Sequence, residues 1–234
     1  MRRIIVCTLA AALAIGASAC SQATQGSAPE PANAKKMLYV KRGEGTNDPI
    51  VMKHFEKIGY MVIEESDNVF KAERAKEFGV VYISPTVNSA RIDAELRHSP
   101  VPVVYAKPQA ASIGGLTGLL DYGQLDSGKS VQIKDEKHPL AAGLKGEVAV
   151  YKNNGKLGYG VPGKDAIVIA TVPGDEKKAA VFAYEKGASN INNEKVPARQ
   201  VFFYFTAGEE SNQTDEGLKL LDAAVQWAAQ NGSK

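Results

Sequence analysis

Cysteine is almost missing from this 234-residue chain: it stands at positions 7 and 20 and nowhere after them. A body without cysteine has no disulfide framework, no thiolate metal site and no thiol nucleophile in its folded part. Histidine is nearly as scarce, for His54, His98 and His138 are scattered singly, with no His-x-His pair and no H-E-x-x-H helix. No metal is therefore expected, and the turn Asp135-Glu136-Lys137-His138 reads as solvated charge. A G-x-S-x-G elbow is absent, which removes the usual way of exposing a nucleophilic serine. Excess charge is lacking too, since 28 Lys and Arg face 26 Asp and Glu. With no basic stripe interleaved with aromatics, nucleic acid is not an expected partner.

What is present begins with an address. Met1-Arg2-Arg3, the apolar run IIVCTLAAALAIG and the small residues Ala17-Ser18-Ala19 form the pattern of an export signal over residues 1–19. That run is short for a bilayer span, and nothing later reaches spanning length. Two cleavage readings fit. Ala17-Ser18-Ala19 is an A-x-A site, and the same residues followed by Cys20 resemble a bacterial lipobox with Ala17 in place of its usual leucine. Cleavage would remove Cys7 and leave Cys20 as the sole thiol in an oxidising compartment, and lipidation of Cys20 accounts for it. The membrane is then a partner through lipidated Cys20, and Ser21 fits sorting to a bacterial outer membrane, facing the periplasm. Plain secretion or a free periplasmic protein is the alternative. Without Arg2 and Arg3 the chain is formally neutral.

Residues 20–35 contain SQATQGSAPEPANAK, small, polar and proline-bearing, and read as a flexible tether. Residues 36–231 have the size of one domain. KMLYV, YMVIEES, VVYIS and VPVVYA are strand-like runs of almost continuous apolar character. Between them lie DPIVMKHFEKIG, NVFKAERAKEFG and NSARIDAELRHS, read as helices, so the first half is a doubly wound parallel sheet covered on both faces. Beyond Gly114, SVQIK, EVAVYK, AIVIATV, AAVFAYEKG and ARQVFFYF read as hairpin or edge strands added to that sheet, and TDEGLKLLDAAVQWAAQNG as a closing helix capped by Thr214, with Trp227 in the core.

Two motifs invite nucleotide binding and neither holds. GQLDSGKS at 123–130 matches the phosphate-loop spacing, but the segment leaving it, VQIK, alternates like a strand where the mechanism needs a helix. GEGTND after the first strand approaches the dinucleotide fingerprint, yet Asp48 replaces the glycine that lets helix and strand pack closely. It reads as a strand-to-helix turn. No cofactor is expected.

KHPLAAGL at 137–144, with AAVFAYEKGA and PARQVFFYF, resembles the class I glutamine amidotransferase-like superfamily, and within it the trehalose-utilisation, ThuA-like branch. The resemblance covers most of residues 36–231 and implies a flavodoxin-like three-layer α/β sandwich, in agreement with the order of elements. Catalytic members carry a cysteine on a sharp turn after a central strand, a histidine near the last strand and an acid beyond it. Here the first turn reads Lys107-Pro108-Gln109 and the second Thr206-Ala207-Gly208-Glu209. Without thiolate and base, amidotransferase chemistry has no activated nucleophile and no catalytic residue is assigned.

In such a sheet the ligand crevice lies beyond the carboxyl ends of the strands. Lys41, Arg42, Ser84, Thr86 and Lys107 fall there, a modestly basic, hydroxyl-bearing lip, although strand-end hydroxyls also serve as caps. His138 and Glu185 complete the candidate ligand-binding residues. A non-catalytic cell-envelope module binding a glycan or another envelope component is the expected function, its sugar bias implied by the resemblance. A ThuA-like sugar-modifying enzyme using His138, Glu185 and the strand-end hydroxyls, and a structural assembly partner, are the alternatives. A protein partner is unspecified.

Overall fold

Strand β1 (Lys36–Lys41) buries Met37, Leu38, Tyr39 and Val40 completely, as a strand covered on both faces must. In the computed structural model, which describes residues 33–231, it lies between β2 (Met61–Ser66) and β3 (Val80–Ile83), parallel to both. β4 (Val103–Tyr105) and β11 (Gln200–Phe203) extend this parallel core in the order β2-β1-β3-β4-β11. The described residues all belong to one compact unit, Pro31–Lys234. The signal peptide reading and the tether up to residue 32 lie outside them.

Side-chain alternation divides the core in two. Met37, Tyr39, Val80, Tyr82, Val104, Val201 and Phe203 meet α1 (Asp48–Lys57) and α3 (Asp215–Gln230) on one face. Leu38, Val40, Val81, Ile83, Val103, Tyr105 and Phe202 meet the opposite layer, which includes α2 (Pro108–Ile113). The result is the expected three-layer α/β sandwich.

The second and third expected helices take a different form. NVFKAERAKEFG gives a 3₁₀ segment, Ala72–Glu77, and NSARIDAELRHS gives two, Ser89–Arg91 and Ala94–His98, separated by extended Ile92. Asn88 and Asp93 explain the break, because each turns its side chain onto a backbone amide two residues on, Ala90 and Glu95 respectively. Asp93 also accepts from the amide of Ala72 at 3.0 Å and so ties the two crossovers together. Phe70, Ala75, Phe78, Ile92 and Leu96 still bury against the sheet.

The second half is antiparallel, as its Gly, Pro and Asn punctuation implies. Against β11 lie β10 (Asp175–Tyr184), β9 (Ile167–Val172), β6 (Ser130–Ile133) and β7 (Glu147–Ala149), in that order. β5 (Thr117–Gly128) pairs with β8 (Gly155–Pro162), which joins β10. GQLDSGKS therefore runs along β5 into β6, strand into strand, with no helix to complete a phosphate loop. Between the β5–β8 pairs Thr117–Pro162 and Tyr122–Gly160 the register shifts, leaving Leu119 and Leu120 79% and 95% exposed.

Helix α3 starts on Thr214, whose hydroxyl accepts from the Gly217 amide at 3.0 Å. A methyl group on Gly217 would stand 2.6 Å from the Val150 carbonyl and 2.9 Å from the Tyr204 hydroxyl. The usual helix gain of about 1 kcal/mol for Gly to Ala is thus opposed by backbone that cannot yield. Gly217→Ala is expected to destabilise by about 2 kcal/mol, read by urea unfolding, whereas a stabilised variant would mean that α3 is not held this close.

Candidate functional site

Strand order reverses between β1 and β3, because the chain leaves β1 for β2 on one side and reaches β3 on the other. Sheets of this kind bind ligands beyond the carboxyl ends at such a point. A cleft of about 330 Å³ lies there, lined by Arg42, Thr46 and Asn47 after β1, Thr86 after β3, and Ala207, Gly208 and Glu210 after β11.

Its floor is a knot of buried polar groups around Asp48, which is 1% exposed. Asp48 Oδ1 accepts from the hydroxyls of Tyr39 at 2.8 Å and Ser84 at 2.5 Å, and Oδ2 accepts from Thr86 at 2.8 Å. Thr86 Oγ1 in turn accepts from the Arg42 amide at 3.2 Å. A buried carboxylate is tolerable only with such donors, and its place in the first turn of α1 adds a favourable helix dipole. Asp48 thereby fills the helix start with the chain's own anion, so GEGTND is a strand-to-helix turn with its charge already supplied.

Glu210 is the opposite case. It is 4% exposed, its Oε2 accepts from the Gly208 amide at 2.9 Å, and its Oε1 has no hydrogen-bond partner among the described residues. Gly208 holds φ at +97°, a conformation that suits glycine, and so aims its amide at that carboxylate. Burial pushes the Glu210 carboxyl above the usual range and the negative charge of Asp48 pushes it further, against the pull of the Glu210 and Gly208 amides and of the Asn47 side chain. The Tyr82 hydroxyl, also buried and without a partner among the described residues, is raised by burial first and then by the charges of Asp48 and Glu210.

The lip residues are only partly gathered. Arg42 and Thr86 line the cleft, while Ser84 lies fully buried beneath it. Lys107 follows β4 and donates to the Pro85 carbonyl at 3.0 Å, and its pKa is lowered by burial and by Arg42. Lys41 turns away toward Glu64 on β2, at 3.5 Å. His138 and Glu185 stand apart from the cleft altogether. Glu185 follows the end of β10 at Tyr184, which pairs with Gln200 at the start of β11, at the amino end of the parallel strands.

There Glu185 receives Arg199 through Nε at 2.9 Å and Nη2 at 3.0 Å. Arg199 lies 4.0 Å over the Trp227 ring and donates to the Trp227 carbonyl, closing the end of α3. His138 caps a 3₁₀ turn by accepting from the Leu140 amide through Nδ1 at 3.2 Å. Its pKa is lowered chiefly by burial, against Asp135 and Glu185. Among the described residues no group of three acidic or metal-ligating side chains could hold a metal ion.

Sequence reasoning missed Thr46, Asn47 and Glu210. Glu210 follows Glu209 in a plain surface-like run, GEE, and nothing in that run marks one carboxylate as buried.

The turn after β4 lacks the geometry of a nucleophile elbow. Lys107 is extended, with φ −133° and ψ 117°, and its amine is already bonded.

The structure resembles a GMP synthase component from Thermoplasma acidophilum with a TM-score of 0.56 and 11% identity, covering 84% of this chain and 95% of that one. It also resembles a ThuA-like protein from Parabacteroides merdae, with a TM-score of 0.50 and 14% identity over 83% of this chain and 89% of that one. The domain has the class I glutamine amidotransferase-like fold. At these identities the likeness concerns fold alone. No protein-family model matches the sequence, and no curated protein matches it.

Because Glu210 keeps its proton more firmly when folded than when unfolded, it costs stability as pH rises from the ordinary glutamate range through its raised value. Glu210→Gln is expected to remove that slope and to stabilise the domain by about 1 kcal/mol near neutral pH. Thermal melts between about pH 4 and about pH 8 check it, and parallel curves for the two proteins would contradict it.

Proposed function

We propose that this chain is an exported cell-envelope lipoprotein, anchored through Cys20, whose amidotransferase-like domain binds a glycan or another hydroxyl-rich envelope component without catalysis. One observation carries the binding part: Glu210, which lines the cleft at the switch point, has a buried carboxylate oxygen, Oε1, with no hydrogen-bond partner among the described residues. A buried acceptor left unpaired costs about 1–3 kcal/mol, so a ligand hydroxyl that draws the Glu210 carboxyl round into the cleft and bonds this oxygen gains part of that penalty back. Arg42, Thr46, Asn47 and Thr86 surround the same cleft with further polar groups, as recognition of a polyol requires. The sugar class itself rests on the ThuA-like resemblance. Supporting a non-catalytic role is Lys107 in plain extended backbone where catalytic relatives carry their nucleophile.

Nothing favours the sugar-modifying enzyme built on His138 and Glu185, because Glu185 is committed to Arg199 and His138 to a backbone cap. The exposed Leu119 and Leu120 on the β5 bulge favour a second reading, an assembly partner, which would dock by that bulge.

Thermal-shift and calorimetric titration against cell-wall saccharide fragments tests the first reading. Binding is expected for wild type and to weaken by about tenfold or more in Glu210→Ala, the loss of a charge-assisted hydrogen bond. Binding that ignores Glu210, or no binding to any fragment, would refute it. For the anchor, mass spectrometry of the mature amino terminus is expected to find an acylated Cys20, and an unmodified Cys20 would refute lipidation.

A further inference from the structure

A second cavity, of about 420 Å³, runs between α1 and α3 on the face of the sheet below the cleft. Its floor is apolar: Val51, Phe205 and Leu221 are buried there, and half-buried Leu218 forms a wall. Ile50 extends this apolar surface outward and is 45% exposed, on the first turn of a helix where a polar residue would cost nothing. Helical spacing brings Ile50, Lys53, His54 and Lys57 to one side of α1, and all of them line the cavity. The helix thus presents an apolar strip and two ammonium groups to a groove.

The charge around that groove is one-sided. Lys53 and Lys57 have no ion-pair partner among the described residues, and Lys152 on the facing rim donates only to the Ser211 carbonyl, at 3.2 Å. Of the acids nearby, Asp222 is occupied by His54 at 2.6 Å. Glu210 also lines the groove, one carboxyl against the three ammonium groups of Lys53, Lys57 and Lys152, and burial raises its pKa above the usual range. An apolar trough rimmed by uncompensated ammonium groups complements a molecule with a hydrocarbon body and an anionic head. A neutral sugar would leave the lysines unused, and a cationic amphiphile would be repelled.

We propose that the groove between α1 and α3 is a binding site for an anionic amphiphile, a fatty-acyl chain whose carboxylate meets Lys53 and Lys57. The chain lies on Val51, Phe205, Leu218 and Leu221, and the size of the cavity is that of an ordinary small-molecule site. This site is separate in chemistry from the glycan cleft and does not depend on that reading.

The test uses the full chain, with dodecanoate and dodecyltrimethylammonium competing against the fluorescent probe 1-anilinonaphthalene-8-sulfonate. Dodecanoate is expected to displace the probe about tenfold more effectively than the cationic homologue, and affinity should rise about fourfold per added methylene up to the capacity of the groove. The Lys53→Glu/Lys57→Glu pair, both surface positions, is expected to abolish or invert the preference for the carboxylate. Leu218→Trp, which fills the groove, should weaken both ligands, whereas Arg42→Ala in the cleft should change neither. Comparing variants in one full-length background cancels any binding by the apolar run near the amino terminus. Equal displacement by the two head groups, or dodecanoate binding that survives both the charge reversal and Leu218→Trp, would overturn the proposal.

Discussion

One carboxylate organises the end of the sheet where the cleft lies. Asp48 draws the hydroxyls of Tyr39, Ser84 and Thr86 onto itself and so joins β1, α1 and the loop after β3 at a single buried point. Hydrogen bonds to a charge are worth about 1.5–3 kcal/mol each, enough for three of them to offset much of the cost of burying the charge. The loops that leave β1 and β3 at the switch point are therefore held in fixed relation, and the cleft has walls before any ligand arrives.

Against this satisfied acid stands an unsatisfied one. Glu210 belongs to the loop after β11, two strands away from β3, and reaches the same cleft with one oxygen paired and the other not. Glu210 also lines the apolar groove, so the polar cleft and the groove share one side chain. In the turn after β4, Lys107 presents an amine bound to the Pro85 carbonyl.

Much of the fold was legible from the chain, and physical reasons separate what was from what was not. Val80–Ile83 and Val103–Tyr105 are short, wholly apolar runs, and such runs have few places to go except the centre of a covered sheet. Thr214 and the acids after it announced α3 through the helix end itself. The crossovers after β2 and β3 carried helix-like composition, but Asn88 and Asp93 bond locally and divide the segment into 3₁₀ turns, a competition that composition does not display. For the site, Arg42 and Thr86 followed from strand ends alone. Ser84 was placed correctly in the chain but serves Asp48 from below, and His138 and Glu185 drew attention by residue type while being spent on capping a turn and pairing Arg199. Glu210 could not be singled out, because burial of one acid of a Glu-Glu pair is decided by a loop that only the folded backbone defines.

Amide hydrogen exchange in Asp48→Asn addresses the organising role of the carboxylate most directly. If that charge joins the loops, protection should fall together over residues 42–47 and 84–88 while α3 and the antiparallel strands keep theirs. Unchanged protection in both loops, in a variant that still folds, would contradict it.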